Sequence, residues 1–99
     1  MRLSQSDRNL IKQTVSDRVG AAASVRLFGS RAHDSRRGGD IDIFIELPHP
    51  VADRLLLECG LAASLERAFD GRRVDVVIAA PNVPDQPIHA VARMTGIPL

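Results

Sequence analysis

The sequence has one cysteine, no tryptophan and no tyrosine. Cys59 alone cannot close an intrachain disulfide, so the core has no covalent staple and a reducing cytoplasm is the expected compartment. Three phenylalanines are too few to serve both a small core and the aromatic platforms on which single-stranded nucleic acids stack. Neither sign of charge dominates: 13 Lys and Arg face 12 Asp and Glu, a net charge of +1. That balance argues against general nucleic-acid binding by bulk electrostatics. No apolar run approaches the roughly 18 residues that cross a bilayer. The segment MRLSQSDRNLIKQ also lacks the apolar stretch of a secretory leader, so neither membrane insertion nor export is expected.

What is present is an ordinary globular composition, 44% hydrophobic and 25% charged, which excludes disorder, collagen-like repeats and a coiled coil. A chain of 99 residues holds one hydrophobic core. Gly and Pro fall between periodic segments rather than forming a linker, so residues 1–99 are read as a single domain.

Ser6 or Ser4 is placed to cap a helix over 6–19, in which Leu10, Ile11, Val15 and Val19 recur at helical spacing and Gly20 ends the run. SVRLFG (24–29) is β-prone and breaks at Gly29 and Ser30, which reads as strand, tight turn and helix start. DIDIFIEL (40–47) alternates at period two with Ile41, Ile43 and Ile45 on one face, the clearest strand signal here. Residues 51–69 predict a long amphipathic helix from Leu57, Leu61, Leu65 and Phe69, with Val51 and Leu55 widening the stripe. RVDVVIAA (73–80) predicts a third strand, and a short helix is expected from about Ile88 to Met94. The order αβ(α)βαβα gives an α/β domain, a small β-sheet covered by helices, with strand order and direction left open.

Aspartate is depleted in strands, yet Asp40, Asp42 and Asp75 lie in or at the start of two strongly β-forming segments. Asp40 and Asp42 share a face about 6.5 to 7 Å apart, while the isoleucines point away. If the third strand pairs with the second, Val74, Val76 and Ile78 join the core and Asp75 falls on the acidic face. Carboxylates at 4 to 6 Å repel by about 3 to 4 kcal/mol per pair at an effective dielectric near 20, which calls for a proton or a cation. Oxygen ligands without His or Cys point to Mg²⁺ or Mn²⁺. Solvated aspartates on an edge strand are the alternative. Glu46 shares the parity of the pair but lies too far along, and is read as solvent-facing. Gly29 and Ser30 supply a turn at a helix N-terminus that can cradle a polyphosphate, although alone they signal no more than a turn and a cap. Arg36 and Arg37 are read as solvated loop charges, His33, His49 and His89 as surface or loop histidines, and Cys59 as a buried small hydrophobe.

GSRAHDSRRGGDIDIFIE (29–46), with Asp75 in RVDVV, resembles the GSxAxG-x(n)-SDxDLxV signature and third aspartate of the minimal nucleotidyltransferase domains of the DNA polymerase β superfamily. The resemblance extends over nearly the whole chain and implies that family's small mixed sheet. It assigns nucleotide phosphates to Gly29 and Ser30, with Arg31 beside them. Asp40, Asp42 and Asp75 take the metal and catalytic roles, around two Mg²⁺ ions that Mn²⁺ can replace. Two positions depart from the motif: Asp34 stands where Gly is usual, and Gly39 where Ser or Thr commonly precedes the first Asp. The implied activity is transfer of a nucleoside monophosphate, AMP from ATP, to a hydroxyl. Superfamily members that act on templates or antibiotics carry further domains to hold the acceptor. The resemblance is therefore to stand-alone antitoxins that adenylylate a HEPN-type ribonuclease toxin, the expected partner protein. The alternatives are a subunit that modifies a small molecule held by a separate helical chain, and a non-catalytic module that neutralises its partner by contact. The oligomeric state is left open.

Overall fold

The computed structural model describes residues 3–28 and 41–99. Seven elements follow in the order α1 (Gln5–Val19), β1 (Ser24–Phe28), β2 (Ile41–Glu46), α2 (Arg54–Ala68), β3 (Val74–Ala79), α3 (Pro87–Thr95) and β4 (Ile97–Pro98). The helix start expected after Gly29 lies outside the described residues. The strands form one mixed sheet in the order β3-β2-β1-β4. In it β1 runs antiparallel to β2 and to β4, while β2 and β3 are parallel.

Local chemistry sets the element boundaries. Ser4 caps α1 in a reciprocal box: its hydroxyl accepts from the Asp7 N–H, and the Asp7 carboxylate accepts from the Ser4 N–H, both at 3.1 Å. Gly20 closes that helix at φ 93°, a conformation that costs a side chain dearly. Asp53 caps α2 by accepting from the Leu56 N–H at 3.0 Å, so the helix begins at Arg54, three residues after the expected start at residue 51. Gly96 ends α3, where a Cβ would collide with the Ala92 carbonyl and press on Arg26.

Alternation divides the sheet into two faces. Ile41, Ile43 and Ile45 of β2, Val74, Val76 and Ile78 of β3 and Leu27 of β1 meet Ile11 and Val15 of α1 and Leu61 and Leu65 of α2 in the main core. Full burial of each such aliphatic side chain contributes about 1.5 to 3 kcal/mol. The other face carries a smaller cluster, in which Phe28, Phe44 and Ala79 pack against Ala92 of α3. Phe28 and Phe44 meet edge to face at 6.4 Å.

Several expectations change in the folded chain. Leu55 is exposed and so is Cys59. Both lie two residues from Leu57, about 200° round the helix from the stripe that Leu57, Leu61 and Leu65 define, so core and outer face exclude each other there. His89 is buried, not a surface residue. It faces the sheet with Ala92, three residues on, its ring 5.9 Å from Phe44. Its Nδ1 accepts from the Gln86 N–H at 3.2 Å. The consequence is an outward apolar stripe on α3, made by Ile88, Val91 and Met94. The two-residue strand β4, too short for a periodicity signal, was not expected from the sequence.

Glu46 is not a solvated residue either. Its Oε1 accepts from Arg26 Nη1 at 2.6 Å and its Oε2 from Arg93 Nε at 2.9 Å. Arg93 also lies over the Phe44 ring, 5.7 Å from its centroid, and reaches Asp85. This network ties α3 to β1 and β2.

β3 stands at one margin of the sheet, where its outward N–H groups meet no strand among the described residues. Two glutamates of α2 take that place: Val74 N donates to Glu66 Oε2 at 3.1 Å and Ile78 N to Glu58 Oε2 at 2.9 Å. Eight helical residues rise about 12 Å, and four strand residues span about 13 Å. The matched spacings let one helix serve both ends of an antiparallel overlay and block pairing at that edge.

Two outcomes follow. Glu58→Ala leaves the Ile78 N–H without its acceptor and is expected to lower stability by about 1 to 3 kcal/mol in urea unfolding; a loss below about 0.3 kcal/mol contradicts the edge cap. Burial works against ionisation of Glu46 and is the largest single influence. The hydrogen bonds and charges of Arg93 and Arg26 together outweigh it and hold the carboxyl below its ordinary range. A depressed folded pKa stabilises above the unfolded value, and that stability is lost as pH falls through the folded value. Glu46→Gln is therefore expected to cost about 1 kcal/mol at pH 7, a figure discounted for the group's partial exposure. The gap from wild type should close as pH drops below about 4. A gap that widens in acid overturns the assignment.

Candidate functional site

The parallel register of β2 and β3 sets Asp42 directly beside Asp75, on strands about 4.8 Å apart. Across β2 on its other side, Asp42 is in register with Phe28, the last residue of β1. The end of β1 therefore lies abreast of the two carboxylates. Gly29, Ser30, Arg31 and Asp40 themselves, with Asp34 and Gly39, lie outside the described residues. Of the expected site, the structure brings together Asp42 and Asp75.

Why these two meet is a matter of the opposite face. Burying Ile41, Ile43, Ile45, Val74, Val76 and Ile78 in the main core turns every even position of β2 and every odd position of β3 toward α3's side of the sheet. Asp42 and Asp75 occupy the end of that face before Phe44 and Val77 begin the smaller cluster. Asp42 is half-buried, and the Asp75 side chain is 44% exposed.

Sequence reasoning passed over one cation at this site. Arg73 stands two residues before Asp75 on the same face, and its Nε donates to Asp75 Oδ1 at 3.4 Å. The Arg73 carbonyl accepts from the Ile41 N–H at 3.0 Å, which fixes its backbone beside the start of β2. Period-two spacing in RVDVV already carried that signal.

Adjacent like charges across a strand pair destabilise it. Two hard carboxylates opening to solvent fit an oxygen-seeking divalent cation such as Mg²⁺ or Mn²⁺. Among the described residues no group of three His, Cys, Asp or Glu side chains gathers in metal-binding fashion. The third carboxylate of the expected set, Asp40, is outside them. An open groove lined by Lys12, Ser16, Arg26 and Leu99 includes neither aspartate.

A mixed sheet with paired aspartates on adjacent strands is an arrangement that suits a nucleotidyltransferase. The chain belongs to the nucleotidyltransferase domain family, whose model matches residues 8–95. It is a nucleotidyltransferase with the polymerase β-like fold. No curated protein is significantly similar in sequence. Among solved structures, a mutant form of the toxin–antitoxin complex MntA-HpeT contains a chain of 24% identity, TM-score 0.63, over 93% of this chain and 69% of that one. A tri-AMPylated HEPN toxin of Shewanella oneidensis in complex with an MNT antitoxin gives 23% identity and TM-score 0.64, over 97% of this chain and 71% of the other. A toxin–antitoxin with AMP-PNP gives 23% identity and TM-score 0.64, over 93% and 70%. At these identities the likeness is one of fold. Among the described residues no helix is long and apolar enough to cross a membrane.

If the side-by-side carboxylates repel, Asp42→Asn should raise the metal-free melting temperature, by about 2 to 4 °C for a gain near 0.5 kcal/mol. Differential scanning calorimetry in the presence of a chelator reads this directly. A melting temperature below wild type would mean that Asp42 stabilises the fold.

Proposed function

We propose that this nucleotidyltransferase moves AMP from ATP onto a hydroxyl of a partner protein, and that it acts as the antitoxin of a HEPN-type toxin. The observation that carries the reading is the pairing of Asp42 with Asp75 on parallel strands, in a chain matched by the family across residues 8–95. The fold it shares with an MNT antitoxin bound to a tri-AMPylated HEPN toxin supports the choice of acceptor. A toxin–antitoxin of the same fold with AMP-PNP supports an adenine nucleotide. These 99 residues contain no tyrosine, so a tyrosyl acceptor lies outside them.

In this reading Gly29 and Ser30 hold the triphosphate through backbone and hydroxyl donors, with Arg31 beside them. Asp40, Asp42 and Asp75 hold two Mg²⁺ ions, or Mn²⁺ in their place. When bound, the cations supply neutralisation of the triphosphate charge and polarisation of the reacting oxygens. Asp75, whose side chain is 44% exposed, faces the acceptor and receives the proton of its hydroxyl. The acceptor oxygen forms a bond to the α-phosphorus as the bond from that phosphorus to the bridging oxygen breaks, and pyrophosphate leaves in line. The reaction proceeds in the reducing compartment that a lone exposed Cys59 tolerates.

Incubation of the purified protein with MgATP and the product of the adjacent gene, followed by intact-mass measurement, tests the reading. The expected result is a mass increase of one or more AMP units on the partner, lost by at least a hundredfold in rate with Asp42→Asn. A tight complex that silences the partner without nucleotide, metal or any mass change would favour neutralisation by contact instead.

A further inference from the structure

We propose that Arg73 is a built-in counter-cation of the carboxylate pair, one that competes with divalent metal for Asp75 and so sets the metal affinity of the site. The inference rests on the proposed metal role of Asp42 and Asp75. Its basis is the placement of three charges. Asp42 and Asp75 stand abreast on neighbouring strands, and the Arg73 guanidinium meets the outer carboxylate at 3.4 Å from two residues upstream on the same face.

The backbone of Arg73 is held by the Ile41 N–H, so its side chain starts from a fixed point beside the site. The side chain is 70% exposed, which leaves it room to swing into solvent when a dication arrives. Exposed ion pairs are weak and readily exchanged, which suits a counter-ion that must yield. Without metal the guanidinium offsets part of the repulsion between the two aspartates. With metal, its positive charge opposes the incoming dication across a few ångströms, and screening by water reduces that opposition to a several-fold effect. Arg72, the adjacent residue, lies in the turn before β3, where its N–H donates to the Phe69 carbonyl at 3.2 Å. It offers the same change in net charge without the contact.

The test is Mn²⁺ titration by calorimetry without nucleotide, on wild type, Arg73→Gln, Arg73→Lys, Arg72→Gln and Asp42→Asn, with melting curves in chelator. Arg73→Gln is expected to bind Mn²⁺ about three- to tenfold more tightly and to melt about 1 to 3 °C lower without metal. Arg73→Lys and Arg72→Gln should stay within about twofold of wild type. Unchanged or weaker Mn²⁺ binding in Arg73→Gln, or equal tightening in Arg72→Gln, overturns the counter-cation role and leaves the metal reading intact. Wild type that binds Mn²⁺ no better than Asp42→Asn overturns the metal reading and this inference with it.

Discussion

The parallel pairing of β2 with β3 holds the rest of the molecule in place. Its register is fixed by six aliphatic side chains, Ile41, Ile43, Ile45, Val74, Val76 and Ile78, that together enter the main core. A slip of β3 by one residue would turn Val74, Val76 and Ile78 to the far side and point Asp75 at the core, at a cost no local contact could offset. The same register that closes the core therefore places Asp42 beside Asp75. Stability and site are two faces of one constraint, and the repulsion built into the acidic side is carried by the apolar burial on the other.

The two helical layers then divide the remaining work. α1 and α2 cover the core, and α2 also supplies Glu58 and Glu66 to the unpaired margin of β3. The strand that carries Asp75 is thus held from both sides, by β2 along one edge and by glutamates along the other. On the opposite face α3 is fastened by Ala92 in the smaller cluster, by the Arg26–Glu46–Arg93 network and by the packing of Phe44 against Arg93 and His89. Such charged hydrogen bonds are directional. They orient α3 over Phe44 and leave the end of the sheet with Asp42 and Asp75 open to solvent.

Much of this was legible in the residues. Period-two alternation in 40–47 and 73–80 and period-four leucines in 57–65 gave the strands, the helix and the buried set. Asp42 and Asp75 were visible because aspartate breaks the β pattern around it. What misled were residues whose environment is made by distant partners. Cys59 and Leu55 read as core by type, but α2 has one inward stripe and they stand outside it. His89 read as surface by type, yet it packs beneath α3 on Phe44, far away in sequence. Glu46 read as solvated until Arg26 and Arg93 converged on it from two other elements.

The sequence by itself determined the alternation of faces, a serine cap for α1 and the chemistry of the acidic side, because each depends on neighbours within a few residues. Only the tertiary structure decided that β2 and β3 run parallel while β1 and β4 run against them, that β3 lies at the margin and takes its edge acceptors from α2, and that α3 turns Ile88, Val91 and Met94 outward. These choices depend on which elements compete for the same surface. That competition is settled by the summed burial of the whole core rather than by any local preference.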